Sequence, residues 1–200
     1  MAQTFHLETP LSEADVRQLH VRDTVFLTGR VFGIRDATQR RIFDENVEPP
    51  VDLCGYPCLH TAPNVRKVGK GYEKLCIGTT TSSRMERYSP LLIERYGVRA
   101  ILGKGGLMAG SLSAMARHGA AYLAVVGGAA ALQTTQIEAI DAAYWEDLFP
   151  ECLWQFRVKE LGPLTVAMSS HGESLYAEVA AEAKARLPEI LSRMEAGGIG

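Results

Sequence analysis

The stretch Val98-Arg99-Ala100-Ile101-Leu102-Gly103-Lys104-Gly105-Gly106 decides the fold class. Its apolar run reads as a strand centred on Ala100 to Leu102, and the glycines that follow let the backbone turn sharply. A helix near residues 111–118 comes next, and a second apolar strand over 122–126 follows it. Strand, glycine turn, helix, strand is the pattern of a βαβ unit with parallel pairing. The same order runs just upstream. Strand-like Leu75 to Gly78 leads into Gly78-Thr79-Thr80-Thr81-Ser82-Ser83-Arg84-Met85, and an amphipathic helix is predicted from there to Tyr96. The class is therefore α/β: a single domain with a mixed sheet flanked by helices.

Working outward, Thr9-Pro10-Leu11-Ser12 sets a cap between a leading strand and a short helix, with Leu11, Val16 and Leu19 on one face. Residues 23–34 alternate like a strand and deliver Arg35-Asp36 into a short helix over 37–43. Pro49-Pro50 breaks the chain, and residues 57–63 read as another strand bounded by prolines. Toward the C-terminus, 134–144 reads as a helix with Ile137 and Ile140 inward. Residues 154–158 and 164–168 read as a closing pair of strands joined by Gly162-Pro163, and 173–194 as a long helix. Nothing linker-like divides the chain, so the domain is expected to run over 1–195, with 196–200 as a frayed tail.

The 200 residues are 46% hydrophobic and 22% charged, enough to bury a sizeable core, and the net charge is -2. That balance offers no basic surface for nucleic acid. The longest apolar run, 120–132, is too short and too glycine-rich to span a bilayer, and no secretory leader is evident, so a cytoplasmic location is expected. Cys54, Cys58, Cys76 and Cys152 match no zinc or cluster spacing and read as free thiols.

Two turns carry the candidate chemistry. Hydroxyl side chains before a helix would put capping oxygens and free N–H groups where negative charge is stabilised, and Arg84 adds a fork that fits a carboxylate. Lys104 supplies a compact positive charge among the glycines. Two cationic turns imply a ligand with two anionic ends. Taken singly, each has a plainer reading: a cap, a turn, or in Arg35-Asp36 a solvated pair. His60, His118 and His171 read as structural or surface groups. A nucleotide site is disfavoured, because Gly103-Lys104-Gly105-Gly106 lacks the P-loop spacing and no Gly-x-Gly-x-x-Gly opens a helix.

Taken in order, Leu27-Thr28-Gly29, Arg35-Asp36, His60-Thr61-Ala62-Pro63, Gly78 through Met85, Gly103-Lys104-Gly105-Gly106, Gly128-Ala129-Ala130-Ala131-Leu132 and His171-Gly172-Glu173-Ser174-Leu175 are similar to the beta subunit, or C-terminal half, of the iron–sulfur hydro-lyases. That family includes class I fumarate hydratase and L(+)-tartrate dehydratase. Val65-Arg66-Lys67, Thr135-Gln136-Ile137-Glu138 and the segment from Val158 to Pro163 most resemble tartrate dehydratase beta subunits. The resemblance implies a swivelling β/β/α domain and a trans elimination of water from a 2-hydroxy dicarboxylate. It also implies a 4Fe-4S cluster bound by an alpha subunit rather than by this chain, and a dimer of heterodimers.

By the same resemblance, Arg35, Arg84 and Lys104 match positions that hold substrate carboxylates, with Thr81 beside them, and Thr80 matches the threonine proposed as base. A threonine hydroxyl serves as base only where cations stabilise its alkoxide or a relay takes the proton. Asp36 is expected to orient Arg35. Gln39, Thr79 and Ser169 depart from the family's usual histidine, proline and aspartate, and none of the three removes a cationic contact. The rival reading is a module that binds small dicarboxylates without catalysis.

Overall fold

The computed structural model describes residues 2–126, 128 and 130–197. Two long strands form its spine: β2 (Thr24–Ile34) and β9 (Leu153–Met168) run antiparallel to each other over most of their length. Along its other edge, β2 pairs in parallel first with β1 (Thr4–Glu8) and then with β3 (Pro57–His60). The sheet continues in parallel through β6 (Ala100–Gly103) and β7 (Ala121–Ala124), and β7 returns to the C-terminal half of β9. The strands β2, β3, β6, β7 and β9 thus close into a ring, with β1 and β8 (Ile137–Tyr144) attached at its sides.

The pleat divides the apolar residues between two cores. Val25, Leu59, Leu102, Leu123, Phe156 and Val166 belong to one cluster drawn from every strand of the ring, which fills its interior. Their neighbours Cys58, Ile101 and Tyr122 face the other way and pack beneath Leu92 and Ile93 of α3 (Ser89–Tyr96) and Ala114 and Met115 of α4 (Ala109–His118). The expected βαβ unit over 98–126 is present as β6, α4 and β7. The leading strand and α1 (Glu13–Arg17) are present too; Ser12 caps α1 and Asp15 closes a capping box with it. Helix α2 (Asp36–Phe43) follows β2 directly.

Four expectations are corrected. Residues 137–144 form strand β8 on the edge of β9, preceded by the short helix α5 (Ala130–Gln136). Register shifts after Ile137 and after Ile140 turn both isoleucines toward the core at a spacing that mimics a helix. Residues 153–168 are one continuous strand instead of two, because β2 runs alongside it from Trp154 to Thr165, past the expected break; bulges and the left-handed Glu160 absorb the extra residues at the Gly162-Pro163 signal. The strand signal at 75–78 belongs to β5 (Gly71–Cys76), which pairs with β4 (Asn64–Val68) as a separate hairpin outside the main sheet. The helix expected from Met85 begins only at Ser89, because Pro90 fits only its first turn; residues 82–85 form a single 3₁₀ turn. The Gly127-Gly128 turn, the motif through Ala129 and the last three residues of the frayed tail involve residues outside those described. Helix α6 (Leu175–Gly197) closes the chain, and among the described residues no helix is long and apolar enough to cross a membrane.

Candidate active site

Four parallel strands of the ring end on the same side, and open α/β sheets place ligands at such carboxyl ends. Arg35 leaves β2, His60 ends β3, Lys104 follows β6 and Val125 follows β7. The hydroxyl-rich segment 78–82 lies across this edge. Thr61 N–H donates to Ile34 O at 2.9 Å, its hydroxyl donates to Gly78 O at 2.6 Å, Thr80 N–H donates to His60 O at 2.7 Å and Ser82 N–H donates to Lys104 O at 2.8 Å. Thr81 and Lys104 form a parallel bridge, so the two cationic turns are stitched together through their backbones.

Three of the expected ionic residues meet at one carboxylate. Asp36 Oδ2 accepts from Arg84 Nη2 at 2.9 Å and from Arg35 Nε at 3.3 Å. Glu151 stands behind them, 3.4 Å from Arg35 Nε, while its other oxygen accepts from Ala37 N–H at 2.8 Å. Each guanidinium thus commits part of its five-donor fork and keeps the rest for an incoming anion. Beside them lies an open cleft of about 310 Å³ lined by Asp36, Ala37, Arg40, Arg84, Arg87, Tyr88 and Glu151. The half-buried Lys104 ammonium has no ion pair or hydrogen bond among the described residues, nor do the hydroxyls of Thr80 and Thr81. Unpaired donors at a desolvated edge are what a carboxylate ligand requires.

The hydroxyl run does not cap a helix as expected: the 3₁₀ turn has no side-chain cap bond. Ser82 does something else. Fully buried, it receives the Tyr122 hydroxyl at 3.0 Å and lies 2.9 Å from His60 Nδ1. His60 is fully buried, and desolvation lowers its pKa to about 3 against the opposing pull of Asp36, so the ring stays neutral. The expectation of a structural His60 fits this position. What the sequence did not announce was its partnership with Ser82 and Tyr122, because the three come from different strands and turns. Gly103 is needed here: a Cβ on it would lie 2.0 Å from Ser82 Oγ. Gly106, at φ +73, receives the ring of Tyr176 from α6, with the nearest ring atoms 2.8 Å from where a Cβ would stand.

This chain's residues do not fit an iron–sulfur cluster. Cys58 and Cys152 are buried, with thiols pushed up to about 12 and about 11, while Cys54 and Cys76 are exposed. Among the described residues, no group of three or more His, Cys, Asp and Glu could hold a metal ion. Beside the polar edge stand exposed apolar side chains: Met108 beyond the Lys104 turn and Val126 beyond β7, the latter 70% exposed. With Val125, Leu132 and Pro163, Val126 lines a cavity of about 210 Å³.

The chain is similar to known proteins of one family. The family described as fumarase C-terminus matches residues 1–179. L(+)-tartrate dehydratase subunit beta of Escherichia coli K12 is 38% identical over 173 residues, covering 86% of each chain. A protein of Methanocaldococcus jannaschii, provisionally given the same name, is 36% identical over 186 residues, 90% of this chain and 95% of that one. A protein of Geobacillus stearothermophilus provisionally named fumarate hydratase class I is 37% identical over 175 residues, 86% of this chain but 34% of its own length.

Proposed function

Because this chain belongs to the fumarase C-terminus family, we propose that it is the beta subunit of a hydro-lyase that removes or adds water on a C4 dicarboxylic acid, L-tartrate or the malate/fumarate pair. The observation that carries the reading is the shared carboxylate of Asp36, which holds Arg35 and Arg84 side by side at the edge where Lys104 has no ionic partner among the described residues. In this reading the free donors of the two guanidinium groups take one substrate carboxylate and the Lys104 ammonium the other. Thr81 contributes its hydroxyl beside Lys104. Asp36 fixes the arginine planes and is a positioning residue.

Abstraction of the proton alpha to a carboxylate leaves a doubly charged aci-carboxylate, and fixed cations favour that state over the ground state. Thr80 is the base in this reading. Its hydroxyl can act where these cations stabilise the alkoxide or a relay takes the proton, and the first route couples proton removal to substrate placement. The departing hydroxide needs a Lewis acid, and a 4Fe-4S cluster on an alpha subunit is the proposed source. The name "subunit beta" carried by the E. coli relative supports such a partner, and the exposed Met108 and Val126 suit an interface that closes over the site. A cytoplasmic dimer of heterodimers completes the proposal.

The test is coexpression with the alpha-type partner, anaerobic reconstitution, and measurement of dehydration of L-tartrate and malate. Turnover of one diacid supports the reading and names the substrate. A stable complex that binds either diacid without turnover would favour the non-catalytic module instead.

A further inference from the structure

One residue holds the segment Thr80-Thr81-Ser82 at both of its ends. The carbonyl of His60 accepts from Thr80 N–H at 2.7 Å, and the ring nitrogen Nδ1 of the same residue lies 2.9 Å from Ser82 Oγ. Ser82 N–H in turn donates to Lys104 O at 2.8 Å, so the hold on Ser82 extends to the lysine turn. The direction of the ring contact follows from its neighbours. The Tyr122 hydroxyl donates to Ser82 Oγ at 3.0 Å, and the Ser82 hydroxyl has no further partner among the described residues. Its own proton therefore goes to Nδ1, and the ring hydrogen sits on Nε2. Burial keeps the ring neutral, which leaves Nδ1 able to accept.

Histidine is an unfavourable choice for this place on stability grounds alone. His60 lies on the helix-facing side of β3 with Cys58, fully buried, and its Nε2 has no hydrogen-bond partner among the described residues. A buried donor left unpaired destabilises the fold, and an apolar side chain of similar size would avoid that loss. Local rules are broken in this way where function constrains a residue. We propose that His60 is a positioning residue for proton abstraction: its carbonyl and its ring together fix the segment 80–82 and so set the Thr80 hydroxyl against the substrate carbon. This rests on the dicarboxylate reading with Thr80 as base. Gly103 serves the same arrangement by leaving room for the Ser82 hydroxyl. Arg35 and Arg84 are held by a different group, the Asp36 carboxylate, so losing the His60 contact should act on kcat more than on KM.

The reconstituted alpha–beta enzyme carrying His60→Leu, His60→Asn, Ser82→Ala or the pair His60→Leu with Ser82→Ala tests this. Leucine fills the layer but cannot accept a hydrogen bond, whereas asparagine can set an amide oxygen near the position of Nδ1. His60→Leu and Ser82→Ala should each lower kcat by roughly 10–100-fold with KM within about threefold, as expected for a misplaced reacting group. His60→Asn should recover most of that loss. The double variant should be no worse than His60→Leu, because both changes remove one contact. The melting temperature of His60→Leu should stay close to wild type, since the unpaired Nε2 is removed as the Ser82 proton loses its acceptor. Hydrogen exchange of peptides spanning 79–83, measured in the complex without substrate, should quicken in His60→Leu and not in His60→Asn. Equal losses of kcat in the leucine and asparagine variants, additive effects in the double variant, a loss of kcat that follows a fall in melting temperature, or unchanged exchange in His60→Leu would each overturn the proposal. A wild-type complex that turns over neither diacid would overturn the dicarboxylate reading instead, and the exchange result alone would then decide whether His60 holds the segment.

Discussion

Asp36 does the work of keeping two like charges together. Without its carboxylate, Arg35 and Arg84 would repel each other and their planes would turn freely, so a substrate carboxylate would have to order them on binding. Asp36→Asn should therefore raise KM by about tenfold, some 1.4 kcal/mol, with a smaller fall in kcat, as measured in the reconstituted enzyme. His60 makes a different prediction. Burial lowers its pKa from 6.5 to about 3, so in the interval between those values the unfolded chain binds a proton that the folded chain refuses. Stability is then lost as pH falls through that window, with a slope approaching about 1.4 kcal/mol per pH unit from this residue. Denaturant unfolding from pH 7 to pH 4 measures the slope, and His60→Asn, which keeps a polar group beside Ser82, should flatten it.

The elements bring these residues together through backbone, and Gly103 is the tightest point. A methyl group there would collide with Ser82 Oγ and push apart the strand and turn that carry Lys104 and Thr81. Gly103→Ala should cost about 2–3 kcal/mol in thermal or denaturant unfolding, in the range of overpacking a closed core, and should lower activity beyond what the stability loss explains. The sequence made β6, α4 and β7 legible because strand, glycine turn and helix each left a local signal. It misled where tertiary pairing set the outcome. Bulged β8 carries its isoleucines at a helical spacing, and β9 runs through a glycine–proline signal because β2 pairs with it on both sides of that signal. Of the candidate residues, Arg35, Asp36 and Arg84, singled out by the family resemblance, are brought together in the structure, and Lys104 is tied by backbone to the same segment as Arg84. Glu151 and Tyr122 were not legible: each arrives from a distant strand or loop with nothing in its own neighbourhood to mark it.

At the scale of the whole molecule, the ring gathers the carboxyl ends of β2, β3, β6 and β7 on one side and leaves that side open. The candidate cations lie on that side, no group able to hold a metal ion is found among the described residues, and apolar side chains stand exposed there. In the proposed reading this is half of a site, which a second subunit would complete by bringing the Lewis acid and excluding water. The most direct test of this account is kcat/KM of the reconstituted alpha–beta enzyme on its dicarboxylate for wild type, Arg84→Ala and Lys104→Ala. The account predicts that each substitution lowers kcat/KM by roughly 10²–10³, as expected for removing a charged contact that stabilises the transition state, while the complex still assembles. Activity within a few-fold of wild type in both variants would contradict it.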